Sequence, residues 1–415
     1  MVHNLLSFAS VMKSIGGVVL AVVILLLMVT VHEFGHYVAG KILGFKINEF
    51  SVGFGPSIFK KRSKKTGELF ALRVIPLGGY CAFDGEDEFE DPNEKNEEAE
   101  EPFSEMNAKK TDTEIEQKEE KEGGMVELNG EDTEETYPEP QGERFNDQAP
   151  WKRIIVLIAG ATMNYLLALL VIVCMFAFIG RPVYKVMEKA EDKVQQTAAM
   201  TVVEGDLQAN DVILKIEGKT VYMITDYMDI LKGKAQGEEV VFTVLRGGEE
   251  MEVAHTLKAN ADIANISDVN TLLGAMGVQA MSAVTVKSGF FETIGNSFAY
   301  SAKIGGSVLR SLGELLTGKL GINAMGGPIT TIKVTSEAAS SSLMSFLNIM
   351  AFIGVNLAVF NLLPVPALDG CKVIFCIIEW IRKKPVNRKV ETMIHLVGII
   401  FLFGFAILVD ILQLF

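Results

Sequence analysis

Four long apolar stretches dominate the hydropathy pattern of the chain. They run from about Ile15 to Gly40, Ile154 to Gly180, Leu343 to Pro364 and Met393 to Phe415. A bilayer core of about 30 Å requires about 20 helical residues, so each stretch is long enough to cross a membrane. We therefore predict an α-helical integral membrane protein with four transmembrane helices, held within residues 1–43, 151–181 and 343–415.

Residues 44–83, which follow the first span, have the pattern of a β-hairpin. The sequences INEFSVGFGPSIF and LFALRVIPLGGY are glycine-punctuated and β-prone, and the basic KKRSKKTGE separates them. We expect this membrane-associated hairpin to lie against the inner membrane face, where protein or a water-filled cavity must satisfy extended backbone. An unpaired edge of the hairpin can receive a substrate segment as an added strand.

Short β-like runs also follow the second span, in residues 182–262. The run DVILKIEGKTV precedes EEVVFTVLRGGEEMEVAHTL, in which Gly247-Gly248 marks a hairpin turn. This pattern predicts a small β-rich α+β domain, and EGDLQANDVILKIEGKTV resembles a PDZ domain with an altered turn. A PDZ domain binds an extended peptide or a carboxyl terminus at a sheet edge, so it would hold or screen a substrate.

Residues 263–342 contain an amphipathic helical pattern. Its apolar positions recur at spacings near 3.6 residues, which favours a helix lying along the membrane surface. A helix that packs against the rest of the protein is the alternative. The positions are Ile294, Phe298, Val308, Leu312 and Leu316.

The negative charge of the chain is concentrated in one segment. Between Asp84 and Gln148 there are 26 acidic and 6 basic residues, so the formal net charge of −14 leaves a positive remainder elsewhere. The segment is poor in branched aliphatic residues and cannot bury enough apolar surface to offset its ordering entropy. We predict a disordered acidic cytoplasmic loop over residues 84–150.

Composition narrows the function classes. An acidic tract beside hydrophobic spans argues against nucleic-acid binding, which requires a concentrated basic face. The cysteines lack zinc-ribbon or Cys-x-x-Cys spacing, and we expect four reduced thiols. They are Cys81, Cys174, Cys371 and Cys376.

Basic clusters beside the spans predict the orientation of the chain. KKRSKK at 60–65, Lys152 with Arg153, and IRKKPVNRK at 381–389 are separated by even numbers of crossings, so all three lie on one side. Positive charge marks the cytoplasmic side. Both termini and the PDZ-like domain are therefore predicted to be extracytoplasmic.

The sequence HEFGH, near the end of the first span, suggests a metal site. His32 and His36 are four residues apart and project from one helix face, close enough to bind one ion. Glu33 points in a neighbouring direction, placed to take a proton from a metal-bound water rather than to ligate. Ionisable groups are costly in a membrane span, which argues against a chance occurrence.

A catalytic zinc usually has three protein ligands, and Asp369 in NLLPVPALDGCK is the strongest candidate for the third. It follows Pro364 and Pro366, which break the third span. A helix N-cap is the alternative role for Asp369, and Cys371 is a rival ligand that zinc also accepts. Spans one and three must then pack together. Asp410, inside span four, is near the outer end, where we expect it to reach water.

With these motifs, the chain resembles the site-2 protease family of intramembrane zinc metalloproteases, in the form that has a single PDZ domain. The resemblance rests on HEFGH, LGGY at 77–80, GATMN at 160–164, GGPI at 326–329 and NLLPVPALDG at 361–370. It covers nearly everything except the acidic insert. The chain departs from the family at Ala161, often proline, at Cys371, often glycine, and in its acidic loop.

The resemblance implies a Zn²⁺ cofactor held by His32, His36 and Asp369, with Glu33 as the general base. It also implies that Asn356 and Asn361 handle the substrate backbone, whereas interhelical hydrogen bonding is their alternative role. The expected substrates are transmembrane segments of single-span proteins, such as anti-sigma factors, and remnant signal peptides. The expected location is the bacterial inner membrane, in contact with lipid.

Two other functions remain open from the sequence. Histidines and an aspartate inside spans also mark ion pathways, so a metal-ion transporter is one alternative. A catalytically silent PDZ membrane scaffold is the other. The transporter does not explain a glutamate between two metal ligands or a peptide-binding domain, and the scaffold predicts binding of clients with no product.

Overall fold

The computed structural model describes residues 2–86, 137–189, 207–258, 266, 268–321 and 326–414. Most of the acidic segment that we predict to be disordered lies outside these residues. The described elements are, in chain order, α1 (Val2–Leu43), β1 (Ile47–Arg62), β2 (Leu69–Phe83), α2 (Pro150–Phe178), β3 (Arg181–Lys189), β4 (Val212–Ile216), β5 (Lys219–Thr220), α3 (Ile224–Leu231), β6 (Glu239–Arg246), β7 (Glu249–Thr256), α4 (Val269–Met276), β8 (Val278–Val286), α5 (Phe290–Leu316), α6 (Pro328–Ser341), α7 (Leu343–Asn361), α8 (Asp369–Arg382) and α9 (Arg388–Leu414).

Within the described ranges, four helices are long and apolar enough to cross a membrane: α1 from Ile15 onward, α2, α7 and α9. Their number and order confirm the prediction from hydropathy. Helices suit these sequences because a backbone in hydrocarbon must satisfy its polar groups within the segment. The chain is therefore a mostly helical membrane protein, and its described residues include two β-sheets.

The chain folds into two compact units, each built from segments that are distant in sequence. One contains residues 1–32, 160–363 and 403–415, and the other contains residues 33–159 and 364–402.

The first unit contains a sheet that runs from β3 to β8. Its strand order is β7-β6-β4-β3-β8, with β5 paired to β4, and the pairs are antiparallel. Apolar side chains such as Ile213, Phe242 and Leu272 are fully buried against it. The sheet extends beyond residue 262, where the predicted PDZ-like domain ends, because β8 pairs with β3 along its length.

The membrane helices of the first unit pack at close range. Ile24 and Met28 of α1 form a buried cluster with Ile353 of α7, which confirms that spans one and three pack together. Gly354 of α7 also allows a close approach to α2, because a Cβ atom there would lie only 2.9 Å from the Cβ of Ala168. A larger residue at this position would separate the helices.

Helix α5 buries a face that contains both polar and apolar side chains, and it exposes other large apolar side chains. Ser297, Tyr300 and Val308 are buried, whereas Phe291 and Leu316 are 85% and 79% exposed. Such an arrangement is typical of a helix that contacts lipid rather than water. This arrangement favours a helix that lies along the membrane surface over a helix that only packs against the protein. The membrane-surface role stays a prediction.

We expected Asp410 in α9 to reach water, but its side chain is buried. Its buried carboxylate accepts hydrogen bonds from the backbone N–H of Ile329 at 3.0 Å and of Thr330 at 3.3 Å. These N–H groups belong to the first turn of α6, which has no intrahelical acceptors for them. Asp410 therefore caps α6 from another helix.

The second unit is built on the hairpin of β1 and β2. The two strands are antiparallel and bent, so that residues 49–52 pair with both 69–72 and 79–82. Gly53 and Gly78 at the bends have φ of 87° and 117°, in the left-handed region that favours glycine.

The carboxyl-terminal part of the acidic segment is ordered. Phe145 packs at ring-centroid distances of 5.5 Å from both Phe45 and Phe83. The backbone N–H of Lys46 donates to the carbonyl of Glu143 at 2.9 Å. The prediction of disorder up to residue 150 is therefore wrong for these residues, because the segment contains an aromatic side chain with a pocket to fill.

Candidate metal centre

The two histidines of HEFGH lie on successive turns of α1. Both are buried, with 8% and 7% of the surface of His32 and His36 exposed. A neutral imidazole is the form in which histidine binds a metal.

Contacts to both ring nitrogens fix the orientation of His36. Nδ1 lies 2.8 Å from the carbonyl oxygen of Val156 in α2. A carbonyl can only accept, so Nδ1 carries the proton and Nε2 is left with its lone pair. Nε2 lies 3.4 Å from Oδ2 of Asp369. A histidine whose other nitrogen donates to a backbone carbonyl is the usual arrangement of a metal ligand.

Asp369 is the first residue of α8, and the loop before it is held by α9. The backbone N–H of Ala367 donates to Nδ1 of His395 at 3.1 Å. Gly398 lies so close to Pro366 that a Cβ atom there would fall 2.7 Å from the Pro366 carbonyl oxygen. The N-cap position belongs to Leu368, so the alternative role of Asp369 as the N-cap is wrong.

His32 contacts two asparagines. Its Nδ1 lies 3.4 Å from Nδ2 of Asn164 in α2 and 3.4 Å from Nδ2 of Asn361 in α7. These amides come from two different helices and surround one side of the ring. An amide Nδ2 can only donate, so Nδ1 of His32 is the acceptor in both contacts, and the two amides restrict rotation of the ring.

His32, His36 and Asp369 each present a ligand atom, and these atoms lie within 4.8 Å of one another. Two imidazoles and one carboxylate are the donor set of a catalytic zinc site, which keeps a fourth position open. The residues therefore fit the ion. Cys371, the rival third ligand, is not part of this group of described residues.

Glu33 is half-buried on the neighbouring face of α1. Burial raises the pKa of the Cys81 thiol in β2, and the negative charge of Glu33 raises it further. Glu33 is not a member of the ligand group.

The two asparagines predicted to bind substrate have different surroundings. Asn361 contacts His32 through its side-chain amide. Asn356 is half-buried in α7, and within the described residues its Oδ1 is buried without a hydrogen-bond partner. The interhelical hydrogen bond considered as its alternative role is therefore not seen at this oxygen.

Sequence reasoning did not identify two groups that contact the histidines. Asn164 lies within the family-like motif GATMN, which was a signal, but no role had been assigned to it. The sequence contains no signal for the Val156 carbonyl, because every residue has a backbone carbonyl whatever its side chain.

Comparisons with known proteins show which family the chain belongs to. The model of Peptidase family M50 matches residues 20–405. The chain is 27% identical to the zinc metalloprotease RasP of Bacillus licheniformis, over 94% of this chain and 97% of that protein. It is 26% identical to the regulator of sigma-W protease RasP of Bacillus subtilis, over 97% of this chain and 99% of that protein. The chain therefore belongs to peptidase family M50, the site-2 proteases, which are zinc metallopeptidases of the membrane.

Proposed function

We propose that this zinc metallopeptidase cleaves transmembrane segments of single-span membrane proteins, with His32, His36 and Asp369 as its zinc ligands and Glu33 as its general base. The observation that carries the proposal is the convergence of the three ligand atoms within 4.8 Å. Asp369 is distant in sequence from the two histidines, and it is half-buried, whereas both histidines are buried. Chance would not often produce a zinc donor set of this kind.

A zinc ion held by these residues supplies Lewis acidity toward the scissile carbonyl and toward water. A carboxylate oxygen of Glu33 accepts the proton of the attacking water and returns it to the nitrogen of the leaving amine. The Val156 carbonyl holds the Nδ1 proton of His36, so the imidazole keeps one orientation during turnover.

The substrate segment must unwind before it is cut, because the hydrogen bonds of a helix shield its peptide groups. The freed backbone then needs new partners. We assign this role to the edge of the hairpin, which accepts an added strand, and to the amides of Asn356 and Asn361. The electrostatic effect of Glu33 on Cys81 supports a position of the hairpin beside the base.

The proposed substrates are anti-sigma factors that have been trimmed outside the membrane, and remnant signal peptides. The name of the Bacillus subtilis relative, regulator of sigma-W protease, supports the first class. The proposed orientation has both termini and the sheet of β3 to β8 outside the cell, in the role of a PDZ-like domain that screens substrates. The basic clusters beside the spans support this orientation.

Replacement of Glu33 by glutamine tests the assignment. The variant should bind zinc as the wild type does, because Glu33 is not in the ligand group. Cleavage of a co-expressed single-span substrate should fall by a factor of about 10² to 10⁴, the usual contribution of a general base. Glu292→Gln, in the first turn of α5, removes an exposed carboxylate and should leave cleavage unchanged.

Cleavage, substrate binding and zinc flux across vesicle membranes together separate the proposal from the two alternatives. Zinc retained with cleavage unchanged in Glu33→Gln would remove Glu33 from the role of base. If the protein were a scaffold, even the wild type would bind the substrate without releasing a cleaved product. A transporter would carry zinc across vesicle membranes at a rate that follows the metal gradient.

A further inference from the structure

The end of β1 and the turn after it line a positively charged cavity, and none of the residues lining it belongs to the group of potential metal ligands. Residues Lys60–Lys65, here called the basic turn, line a cavity of about 680 Å³ together with Phe70 and Tyr137. Five of the six residues of the basic turn are cations, and all five are exposed. Within the described part of the chain, Lys60, Lys61, Arg62 and Lys65 take part in no ion pair. Such a concentration of charge attracts a polyanionic ligand.

Contacts to α1 fix the position of the basic turn. Glu68, just after the turn, is only 3% exposed, and it accepts hydrogen bonds from Lys41 Nζ at 2.5 Å, Tyr37 Oη at 3.0 Å and Thr66 Oγ1 at 3.0 Å. Lys41 lies in the last turn of α1. The basic turn is therefore attached to the end of a membrane helix.

This attachment sets the depth of the basic turn relative to the bilayer. The apolar part of α1 has 29 residues. At 1.5 Å per residue it is about 43 Å long, which matches a bilayer including its polar headgroup regions. The last turn of α1, and the basic turn with it, thus lies at the level of the lipid headgroups.

The stretch of the hairpin beside the basic turn is apolar and exposed. It begins at Phe59, the neighbour of Lys60, and extends to Phe54, six residues from Lys60 along β1, which is about 20 Å. Exposed apolar side chains beside a group of cations are the arrangement of elements that insert into a membrane surface. The apolar side chains are Phe54, Ile58, Phe59, Leu72, Val74 and Ile75.

We propose that the basic turn is a binding site for the phosphate-bearing headgroup of an anionic phospholipid, with Phe70 and Tyr137 lining the cavity beside the cations. The site holds the hairpin at a fixed depth in the leaflet that contains the end of α1. Lysine and arginine near an anionic bilayer each strengthen association by a factor of about five. The proposal does not depend on proteolysis, so its test uses a binding readout.

Photocrosslinking in vesicles tests this site directly. Tyr137 is replaced by p-benzoylphenylalanine in the full-length protein, which is reconstituted in phosphatidylcholine vesicles containing a minor share of phosphatidylglycerol. Mass spectrometry of the adducts then gives the proportion of each lipid beside the cavity. We expect phosphatidylglycerol to be enriched in the adducts above its share of the bilayer. Raising NaCl to about 1 M should lower this enrichment, because the Debye length falls to about 3 Å.

Charge variants then identify the cations that cause the enrichment. The quadruple variant Lys60→Gln, Lys61→Gln, Lys64→Gln and Lys65→Gln should lower it about fivefold or more. The corresponding quadruple arginine variant should keep it. A matched control removes the same number of exposed cations from the end of α8, the start of α9 and the loop between them, and it should also keep the enrichment. The control substitutions are Arg382→Gln, Lys383→Gln, Lys384→Gln and Lys389→Gln.

Three results would overturn the proposal. The first is a proportion of phosphatidylglycerol adducts in the wild type that equals its share of the bilayer. The second is an equal loss of enrichment in the control, which would assign the effect to net charge. The third is crosslinking to residues of the acidic segment instead of lipid, which would make the occupant of the cavity a polyanionic peptide.

Discussion

Arg153 is the most completely buried cation among the described residues, and its replacement should destabilise the fold around α8. Only 1% of its surface is exposed, and Nη2 lies 2.7 Å from Oε1 of Glu379. Arg153 belongs to α2 and Glu379 to α8, the helix that begins at Asp369. The pair therefore ties the helix of the carboxylate ligand to a membrane helix.

The structure gives the expected size of the effect. Removing one partner of a buried ion pair costs about 3–5 kcal/mol, because the other charge is left without compensation. Glu379 is 13% exposed and keeps a second partner, Arg388 Nη2, at 3.5 Å. We therefore expect Arg153→Met to cost about 3 kcal/mol, at the low end of this range. The double variant with Glu379→Met should recover to within about 1 kcal/mol of the wild type, since no charge remains buried.

Titration with a denaturing detergent, followed by circular dichroism, measures these free energies of unfolding. Lys152→Met is the matched control, because Lys152 is half-buried and its Nζ donates a hydrogen bond to Gln148 Oε1 at 2.8 Å. It should cost less than about 1 kcal/mol. The reasoning is refuted if Arg153→Met is as stable as this control, or if the double variant is no more stable than the single one.

Two further predictions concern residues that the sequence left ambiguous. Asp410→Ala should weaken the first turn of α6 by about 1–2 kcal/mol through loss of its cap, and hydrogen exchange at the amides of Ile329 and Thr330 should accelerate; unchanged exchange would show that the cap is not used. Cys371→Ser should retain both zinc and cleavage, because the thiol lies outside the group of potential ligands; loss of zinc, measured by elemental analysis, would instead make Cys371 a ligand.

The membrane spans and the histidine pair could be predicted because their signals are local. A run of about 20 apolar residues has few alternatives to a membrane helix. Likewise, two histidines four residues apart must share a face once the segment is helical. The third candidate ligand, Asp369, could be identified by its type and by the proline break before it.

Groups whose partners are distant in sequence were harder to interpret. Arg153 reads as one of the cytoplasmic surface charges beside span two, but it is buried against Glu379. Asp410 was expected to reach water, but it accepts backbone hydrogen bonds from α6. In both cases the cost of a buried charge is removed by a partner that the packing of helices supplies. Periodicity and composition contain no information about that packing.

The length of the acidic loop and the extent of the β-rich domain show the same limit. Phe145 lies within a strongly charged segment, yet it packs between Phe45 and Phe83. Strand β8 completes a sheet whose other strands lie before residue 262. The order of Phe145 and the pairing of β8 both depend on a partner elsewhere in the chain, and average composition does not identify that partner.

Elemental analysis of the purified, active protein tests the central claim most directly. The account predicts one zinc ion per chain in the wild type, and loss of most of it in His36→Ala and in Asp369→Ala, since each variant removes one of three ligands. Active wild-type protein without a stoichiometric transition metal, or an Asp369→Ala variant that keeps both its zinc and its cleavage, would contradict it.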